Sequence, residues 1–276
     1  MEIGAELDHL QLCSPDPEAM ARFYERAYAM KASSQGAVWF CKGPNRAIAL
    51  VKGHAYKLDH AAFRFGDETA WTNLRESISD AERLPAPASP LIDVPAFAVR
   101  DPENNLLVFL LRPDPVDAAA TAPVPAAHCQ HFALRTPDPG RMLDFYTRTL
   151  GFVLSDQVRD AEGVLRACFL RTNSLHHALA LFMAPESRFD HQSFEAPDWL
   201  ALRQWADHMA GLKVPMVWGV GRHGPGNDVF FMVADPDGNL AEISAEIEVC
   251  AEDRPAGLWP HEQRTLNLWG SAIMRS

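Results

Sequence analysis

The sequence predicts an α+β fold made of two similar modules, each built from two β-α-β-β-β units. Three observations lead to this prediction. A stretch near the start of the chain recurs in the second half, a segment rich in proline and alanine separates the two copies, and short apolar runs bounded by turn residues outnumber helical segments. Together they predict a duplicated chain whose sheets carry most of the structure.

The internal repeat is the strongest of these observations. Residues 7–17, followed by Phe23 and Tyr24, recur as residues 129–139, followed by Phe145 and Tyr146. Two shorter blocks recur in the same order: Leu58-Asp59-His60 as Phe189-Asp190-His191, and Asp101-Pro102 as Asp235-Pro236. Ordered self-similarity of this kind indicates two copies of one structural module.

A Pro/Ala-rich segment sets the predicted boundaries. Prolines deny hydrogen bonds to a sheet and small residues add little to a core, so residues 113–127 are predicted to be a linker. The first module then covers residues 1–112 and the second covers residues 128–248. Residues 249–276 form a tail, for which we expect an ordered arm that packs its tryptophans.

The second module shows the expected elements most clearly. A short strand surrounds Phe132, and a helix opens at Pro137-Asp138, places Met142 and Tyr146 on one face, and stops at Gly151. The remaining predictions are strands at 152–154, 164–170 and 177–182, a helix at 198–210, and a hairpin of strands 228–233 and 240–247 joined by the turn at 235–239.

Composition limits the classes of partner. With 36 Asp and Glu against 25 Lys and Arg, the formal charge is −11, which repels nucleic acid and anionic lipid. Purely apolar runs such as residues 106–111 are too short to span a membrane, and the first residues lack the basic region of an export signal. The five cysteines form no metal or disulfide spacing. We therefore expect a soluble cytoplasmic protein with reduced thiols, and a homo-oligomer.

The repeat also serves as an internal control for a metal site. The three aligned positions are His9, His60 and Val108 in the first module, and His131, His191 and Glu242 in the second. A carboxylate therefore completes the set only in the second module. Two imidazoles and one carboxylate on one face suit Fe(II), with Mn(II) as the alternative, better than structural zinc. His9 and His60 are predicted to be remnants or structural residues.

Four features of the second module resemble the type I extradiol dioxygenases of the vicinal oxygen chelate superfamily. They are the His131-Phe132 strand, the His176-His177 run, Gly221-Arg222-His223, and the ending from Asp235 to Glu242. The resemblance covers nearly the whole chain. It implies an open barrel in each module and a catalytic site in the second module. It also implies that an aromatic vicinal diol chelates Fe(II) beside O₂ and that the ring is cleaved at a bond next to the diol.

The resemblance also implies individual roles. His177, which aligns internally with Arg46, is expected to act as acid and base, and His223 to lie near a substrate hydroxyl. His176, one residue away along a strand, is expected to face the opposite side. The chain departs from the family at Met232, where members usually carry a tyrosine, and a thioether cannot donate a proton.

Two other functions fit the same fold. A glyoxalase-like isomerase or epimerase needs carboxylates on more than one repeat unit, and the aligned positions supply only one. A ligand-binding module without catalysis needs no metal at all. Metal dependence and oxygen uptake distinguish these alternatives from the dioxygenase. The sequence does not identify substrate-binding residues.

Overall fold

The structure, a computed structural model, describes residues 2–112 and 124–274 and consists of four β-α-β-β-β units followed by a short arm. The first two units are β1 (Glu6–Ser14), α1 (Pro17–Ala27), β2 (Lys31–Gln35), β3 (Val38–Gly43), β4 (Arg46–Lys52), and β5 (Lys57–Phe65), α2 (Glu68–Ser77), β6 (Leu84–Pro85), β7 (Ala96–Arg100), β8 (Leu106–Leu111).

The second module repeats this order. Its units are β9 (His128–Thr136), α3 (Pro139–Arg148), β10 (Val153–Arg159), β11 (Leu165–Arg171), β12 (Leu179–Met183), and β13 (Arg188–Ala196), α4 (Trp199–Gly211), β14 (Met216–Arg222), β15 (Val229–Ala234), β16 (Leu240–Ala245). The arm adds β17 (Gly257–Pro260) and α5 (Gln263–Leu266).

Each module forms one mixed sheet that curls without closing. The first sheet has 8 strands in the order β2-β3-β4-β1-β5-β8-β7-β6, and the second has 9 in the order β14-β15-β16-β13-β9-β12-β11-β10-β17. The first strands of the two units in a module, β1 and β5 or β9 and β13, lie side by side and antiparallel. The predicted α+β fold of paired β-α-β-β-β units is confirmed.

The Asp-Pro pairs before α1 and α3 explain where these helices begin. The side chain of Asp16 accepts a hydrogen bond from the backbone N–H of Ala19, and Asp138 accepts one from Arg141. The proline that follows each aspartate needs no partner for its nitrogen and already has a helical φ. The start of α3 therefore lies one residue after the predicted Pro137-Asp138 opening.

The repeated Phe-Tyr helix and Asp-Pro turn meet between the modules. The Tyr146 hydroxyl donates to Asp101 Oδ2 across 3.0 Å, and Tyr24 approaches Asp235 Oδ2 at 3.4 Å in the reciprocal position. Both tyrosines are fully buried in a core that the helix-covered faces of the two sheets share. These motifs thus join the two modules, which accounts for their presence in both.

Replacing Tyr146 with phenylalanine is expected to lower the free energy of unfolding by about 1–2 kcal/mol, because the buried Asp101 carboxyl loses one donor. Urea denaturation measures the change, and Arg148→Ala on the exposed side of the same helix is the control. Equal stability of Tyr146→Phe and the unchanged chain would show that the inter-module hydrogen bond contributes nothing.

The other face of each sheet distinguishes the modules. In the first module this face is filled by a small apolar cluster that includes Ala62, Val108 and Leu110. In the second, the corresponding face bears the aromatic cluster of Phe169, Phe230 and their neighbours around a pocket. Among the described residues, a pocket therefore opens on this face in the second module, where the first module is filled by aliphatic side chains.

Several expectations concern the rest of the chain. Most of the predicted linker at 113–127 lies outside the described residues, so the domain boundaries stay a prediction. The five cysteines are free and buried. No helix in the described part is long and apolar enough to cross a membrane. The tail is an ordered arm, as expected, and its β17 pairs in parallel with β10.

Candidate active site

His131, His191 and Glu242 converge from three neighbouring strands. They lie on β9, β13 and β16, and Ser193 of the central strand pairs with both His131 and Glu242. The Nε2 atoms of the two histidines are 3.2 Å apart, and Glu242 Oε2 lies 3.3 Å from that of His131 and 3.5 Å from that of His191. The structure thus brings the three predicted ligands together in a group that could hold a metal ion.

Hydrogen bonds on the far side of each ring orient the two imidazoles. His131 Nδ1 contacts Gln130 Oε1, and His191 Nδ1 lies 2.6 Å from Asp190 Oδ1. Asp190 is itself held by Arg135, whose Nε donates to Oδ2 across 2.6 Å. A partner at Nδ1 leaves Nε2 free to point inward, which is the arrangement that metal-binding histidines usually have.

Glu242 fits a site for a cation because it is a buried carboxylate whose close partners are imidazoles. Its side chain is fully buried, and within the described residues neither carboxylate oxygen has a hydrogen-bond partner. Burial opposes ionisation, but the contacts with His131 and His223 and the charges of His131 and His191 outweigh burial and lower the pKa of Glu242. A divalent cation would give this carboxylate the partner it lacks.

The first module keeps the histidine pair without the carboxylate. His9 Nε2 and His60 Nε2 are 3.3 Å apart, and each ring contacts the aspartate that precedes it. Val108 pairs with Ala62 in the first module, and Glu242 pairs with Ser193 at the equivalent place in the second. Val108 and Glu242 therefore occupy equivalent positions in the structure, as the alignment of the two sequence repeats indicates. Within the described residues, the metal-binding groups of three or more side chains lie in the second module.

His177 lies beside the three converging side chains. Its ring centroid is 4.3 Å from that of His131, and the side chain is buried and lines the pocket. Burial and the neighbouring imidazoles lower its pKa well below the usual range of histidine. At the aligned position of the first module, Arg46 instead donates to the backbone carbonyls of Ala127 and Tyr28.

The prediction for His176 is wrong. It assumed that a strand runs through both histidines, whereas β12 begins only at Leu179 and the pair lies in the loop before it. Side-chain alternation therefore does not apply, and the rings of His176 and His177 touch edge to face with their Nδ1 atoms 3.0 Å apart. His176 is part of the site's surroundings.

His223 faces the same carboxylate from the opposite side. Its Nε2 lies 3.6 Å from Glu242 Oε1, its Nδ1 lies 2.6 Å from the carbonyl oxygen of Leu266, and the ring stacks on Phe230. Burial lowers the pKa of His223, but the charges of Asp228 and Glu242 outweigh burial and raise it. The arm of the chain thus fixes one nitrogen of this ring while the other faces the site.

The pocket above these groups is mostly apolar and aromatic. Its walls include Phe169, Phe182, Trp218, Met232 and Leu266. Met232 pairs with Glu242 across β15 and β16 and is almost completely buried, so the sulfur stands where a hydroxyl was expected. The lining also includes the imidazoles of His177 and His223, so the pocket combines aromatic walls with a few polar groups.

Three acidic residues near the site carried no sequence signal. Asp228 is fully buried, neither oxygen of its carboxyl group has a hydrogen-bond partner among the described residues, and it forms a second potential metal-binding group with His223 and Glu242. Glu195 lies behind the site on β13, and Asp156 holds the arm. Only three-dimensional packing shows these positions, because each stands in an ordinary strand or turn with no recognisable spacing.

Glu195 gives the metal-free protein a pH-dependent stability. Burial, together with the charges of Asp228 and Glu242, raises its pKa from 4.5 to about 7 although the Ile247 N–H opposes the shift. The folded state therefore holds the proton more tightly, and stability falls as pH rises from 4.5 through 7.

Glu195→Gln keeps an acceptor for Ile247 and removes the titration. From about pH 5 to about pH 8, the free energy of unfolding of the variant should rise by on the order of 3 kcal/mol relative to that of the unchanged chain. Urea denaturation of both metal-free proteins at the two pH values measures this difference. If the free energy of unfolding changed by the same amount in both proteins between the two pH values, the role assigned to Glu195 would be wrong.

Comparison with known proteins finds a family model that is similar to the second module. Residues 128–243 match the model of the Glyoxalase/Bleomycin resistance protein/Dioxygenase superfamily. The match covers most of this module and less than half of the chain. The matched residues include the three candidate ligands, His131, His191 and Glu242, and the two further histidines of the pocket, His177 and His223.

Two curated proteins match about half of the chain. Metapyrocatechase 2 of Cupriavidus necator is 37% identical over 145 residues, which are 52% of this chain and 44% of that protein. Metapyrocatechase of Pseudomonas sp. (strain CF600) is 31% identical over 117 residues, covering 41% of this chain and 38% of the relative. The match thus spans less than half the length of these relatives.

Solved structures share the fold of both modules. The Mn(II)-bound glyoxalase of Novosphingobium aromaticivorans superposes with a TM-score of 0.81 at 22% identity, over 98% of this chain and 92% of that one. Homoprotocatechuate 2,3-dioxygenase of Arthrobacter globiformis gives 0.80 at 20% identity, over 98% and 88%. At this identity the likeness shows a common fold for the whole chain.

Proposed function

We propose that this chain is an extradiol dioxygenase that cleaves the ring of an aromatic vicinal diol with O₂ on a non-haem Fe(II), with Mn(II) as the alternative metal. The observation that carries the proposal is the buried His131, His191 and Glu242 group beneath an aromatic pocket that two further histidines enter. Two imidazoles and one carboxylate leave coordination positions open on one side, and here that side faces the pocket. The metapyrocatechase relatives support the same activity.

The residues would divide the work as follows. His131, His191 and Glu242 would hold the metal, which would supply Lewis acidity toward the diol and a path for electrons from the diol to O₂. His177, kept neutral by burial among other imidazoles, accepts a proton from a diol hydroxyl and later returns it. The aromatic walls, including Phe169 and Trp218, hold the ring and exclude water.

His223 would supply the hydrogen bond that Met232 cannot. Its Nδ1 is engaged by Leu266, so Nε2 is the nitrogen available to a substrate oxygen, and the neighbouring Asp228 favours a proton there. The sulfur of Met232 fills the remaining space without competing for that bond. Homo-oligomeric assembly stays a prediction of the sequence.

One observation favours a second candidate, a glyoxalase-like metal-dependent isomerase. Such chemistry needs a second carboxylate near the metal. Asp228 lies in the same repeat unit as Glu242, but its buried carboxyl group has no hydrogen-bond partner among the described residues and is grouped with His223 and Glu242. Isomerisation consumes no O₂, so the two candidates differ in a quantity that is simple to measure.

The experiment is oxygen uptake by anaerobically prepared protein loaded with Fe(II) or Mn(II) and offered a panel of catechols. The proposal predicts uptake together with the yellow absorbance of a ring-opened product. Metal binding without oxygen uptake on any catechol would count against the dioxygenase and favour the isomerase. A protein that binds no metal would overturn both and leave the ligand-binding module.

A further inference from the structure

A line of buried polar contacts runs from the C-terminal arm to His177. It begins at Asp156 on β10, whose carboxylate accepts hydrogen bonds from Trp259 Nε1 at 2.7 Å, the Gly257 backbone N–H at 3.0 Å and Arg254 Nη1 at 3.0 Å. Asp156 itself is fully buried. Three donors from one short segment thus fix a single carboxylate behind the site.

His176 connects this carboxylate to the site. Its Nε2 lies 3.2 Å from Asp156 Oδ2, an ion-pair distance, and its Nδ1 lies 3.0 Å from Nδ1 of His177. Gly226 presses against the pair, since a Cβ there would lie 3.1 Å from His176 Nδ1 and 3.4 Å from His177 Cε1. The two rings are therefore held in one mutual arrangement.

Hydrogen positions follow from this arrangement. Two Nδ1 atoms 3.0 Å apart form a hydrogen bond only if one carries the proton and the other offers a lone pair. The carboxylate of Asp156 favours the proton of His176 on Nε2, so Nδ1 of His176 is the acceptor. His177 then carries its own proton on Nδ1, and its Nε2 is bare.

We propose that His176 and Asp156 are positioning residues that hold His177 in the tautomer whose bare Nε2 faces the pocket. The inference deepens the proposed function, on which it rests, because a general base must present a lone pair to the hydroxyl it deprotonates. It also gives the arm a role, since Arg254 and Trp259 orient the carboxylate that sets the tautomer.

The ionisation of Asp156 supports this direction of the hydrogen bonds. Burial opposes its charge, but the contacts with His176, Arg254 and Trp259 outweigh burial and lower the pKa to about 2. Asp156 is thus a carboxylate at neutral pH and offers only acceptor atoms to its neighbours. If Asp156 were protonated, it could donate a hydrogen bond to His176, and the donor and acceptor roles of His176 and His177 would then be exchanged.

The test exploits the different shapes of asparagine and glutamine at position 176. The asparagine Oδ1 replaces the Nδ1 acceptor that faces His177, whereas the glutamine amide reaches toward Asp156 and leaves no acceptor at the Nδ1 position. Nitrogen-15 NMR of metal-free, histidine-labelled protein reports which ring nitrogen of His177 carries the proton, independently of turnover.

The unchanged chain and His176→Asn are expected to show His177 protonated on Nδ1. In His176→Gln and His176→Phe the signal should shift toward the Nε2–H form or a mixture of the two tautomers. The proposal is overturned if the unchanged chain already has the proton on Nε2, or if all three variants keep the original tautomer.

Kinetics of the metal-loaded protein provide a second readout. We expect kcat for a diol substrate to fall about 10- to 100-fold in His176→Gln with KM little changed, and to recover in His176→Asn. A merely structural role would lower kcat in all variants without this rescue. If no diol is turned over, the NMR result still decides the tautomer, so failure of the proposed function and failure of this inference are distinguishable.

Discussion

His191→Ala is expected to weaken binding of the divalent metal by at least about 100-fold, because it removes one of three ligands and leaves Glu242 with a single close imidazole at Oε2. Titration of the metal-free protein followed by calorimetry measures the affinity. Even loss of an outer partner of a ligating histidine commonly costs 10- to 100-fold, so removal of the ligand itself should cost more.

The duplicated chain provides a matched control. His60→Ala removes the equivalent imidazole from the first module, where Val108 replaces the carboxylate. We expect this variant to bind the metal as the unchanged chain does, provided that circular dichroism shows both variants folded. Equal losses in His60→Ala and His191→Ala would mean that the metal site is not confined to the second module.

His177→Ala is expected to lower kcat about 10²- to 10⁴-fold while the protein keeps its metal. The side chain lies next to His131 but is not one of the three candidate ligands, so its loss removes a proton acceptor and no ligand. Steady-state turnover of a diol, with metal content measured on the same sample, separates the two effects.

The control for this variant is His54→Ala, an exposed histidine of the first module. It should leave both turnover and metal content unchanged. A His177→Ala protein with full turnover would remove His177 from the reaction, and one that had also lost its metal would make it a ligand.

Much of the fold was predictable because the chain repeats itself. Blocks such as residues 7–17 and 129–139 occupy corresponding strands and helices, and one alignment sufficed to define four β-α-β-β-β units. The same alignment singled out Glu242, since a carboxylate stood opposite Val108 at an otherwise matched position. Local pattern and internal comparison thus point to the same three side chains that the structure brings together.

The contacts that join the modules and surround the site were not predictable, for a physical reason. Contacts such as Tyr146 with Asp101, or Trp259 with Asp156, join residues far apart in sequence, and no periodicity encodes them. His176 was misjudged because two apolar-flanked histidines resemble a strand, while the backbone is still a loop at that point. Burial of Asp228 also follows only from packing.

The duplication has a further consequence for how the two modules share their tasks. The first module retains a pair of histidines at nearly the same separation as the second, 3.3 Å against 3.2 Å between Nε2 atoms, yet fills the space above them with aliphatic side chains. Its reciprocal contact with the second module runs through Tyr24 and Asp235. We infer that it serves chiefly to complete the shared core.

Isotope labelling of the product tests the central claim most directly. Metal-loaded protein turns over a catechol under ¹⁸O₂, the product is reduced at once to prevent exchange of carbonyl oxygen with water, and its mass is measured. The account predicts one O₂ consumed per ring opened and two ¹⁸O atoms in each product molecule. A product that carries one labelled atom or none, or a diol that is transformed without oxygen consumption, would contradict it.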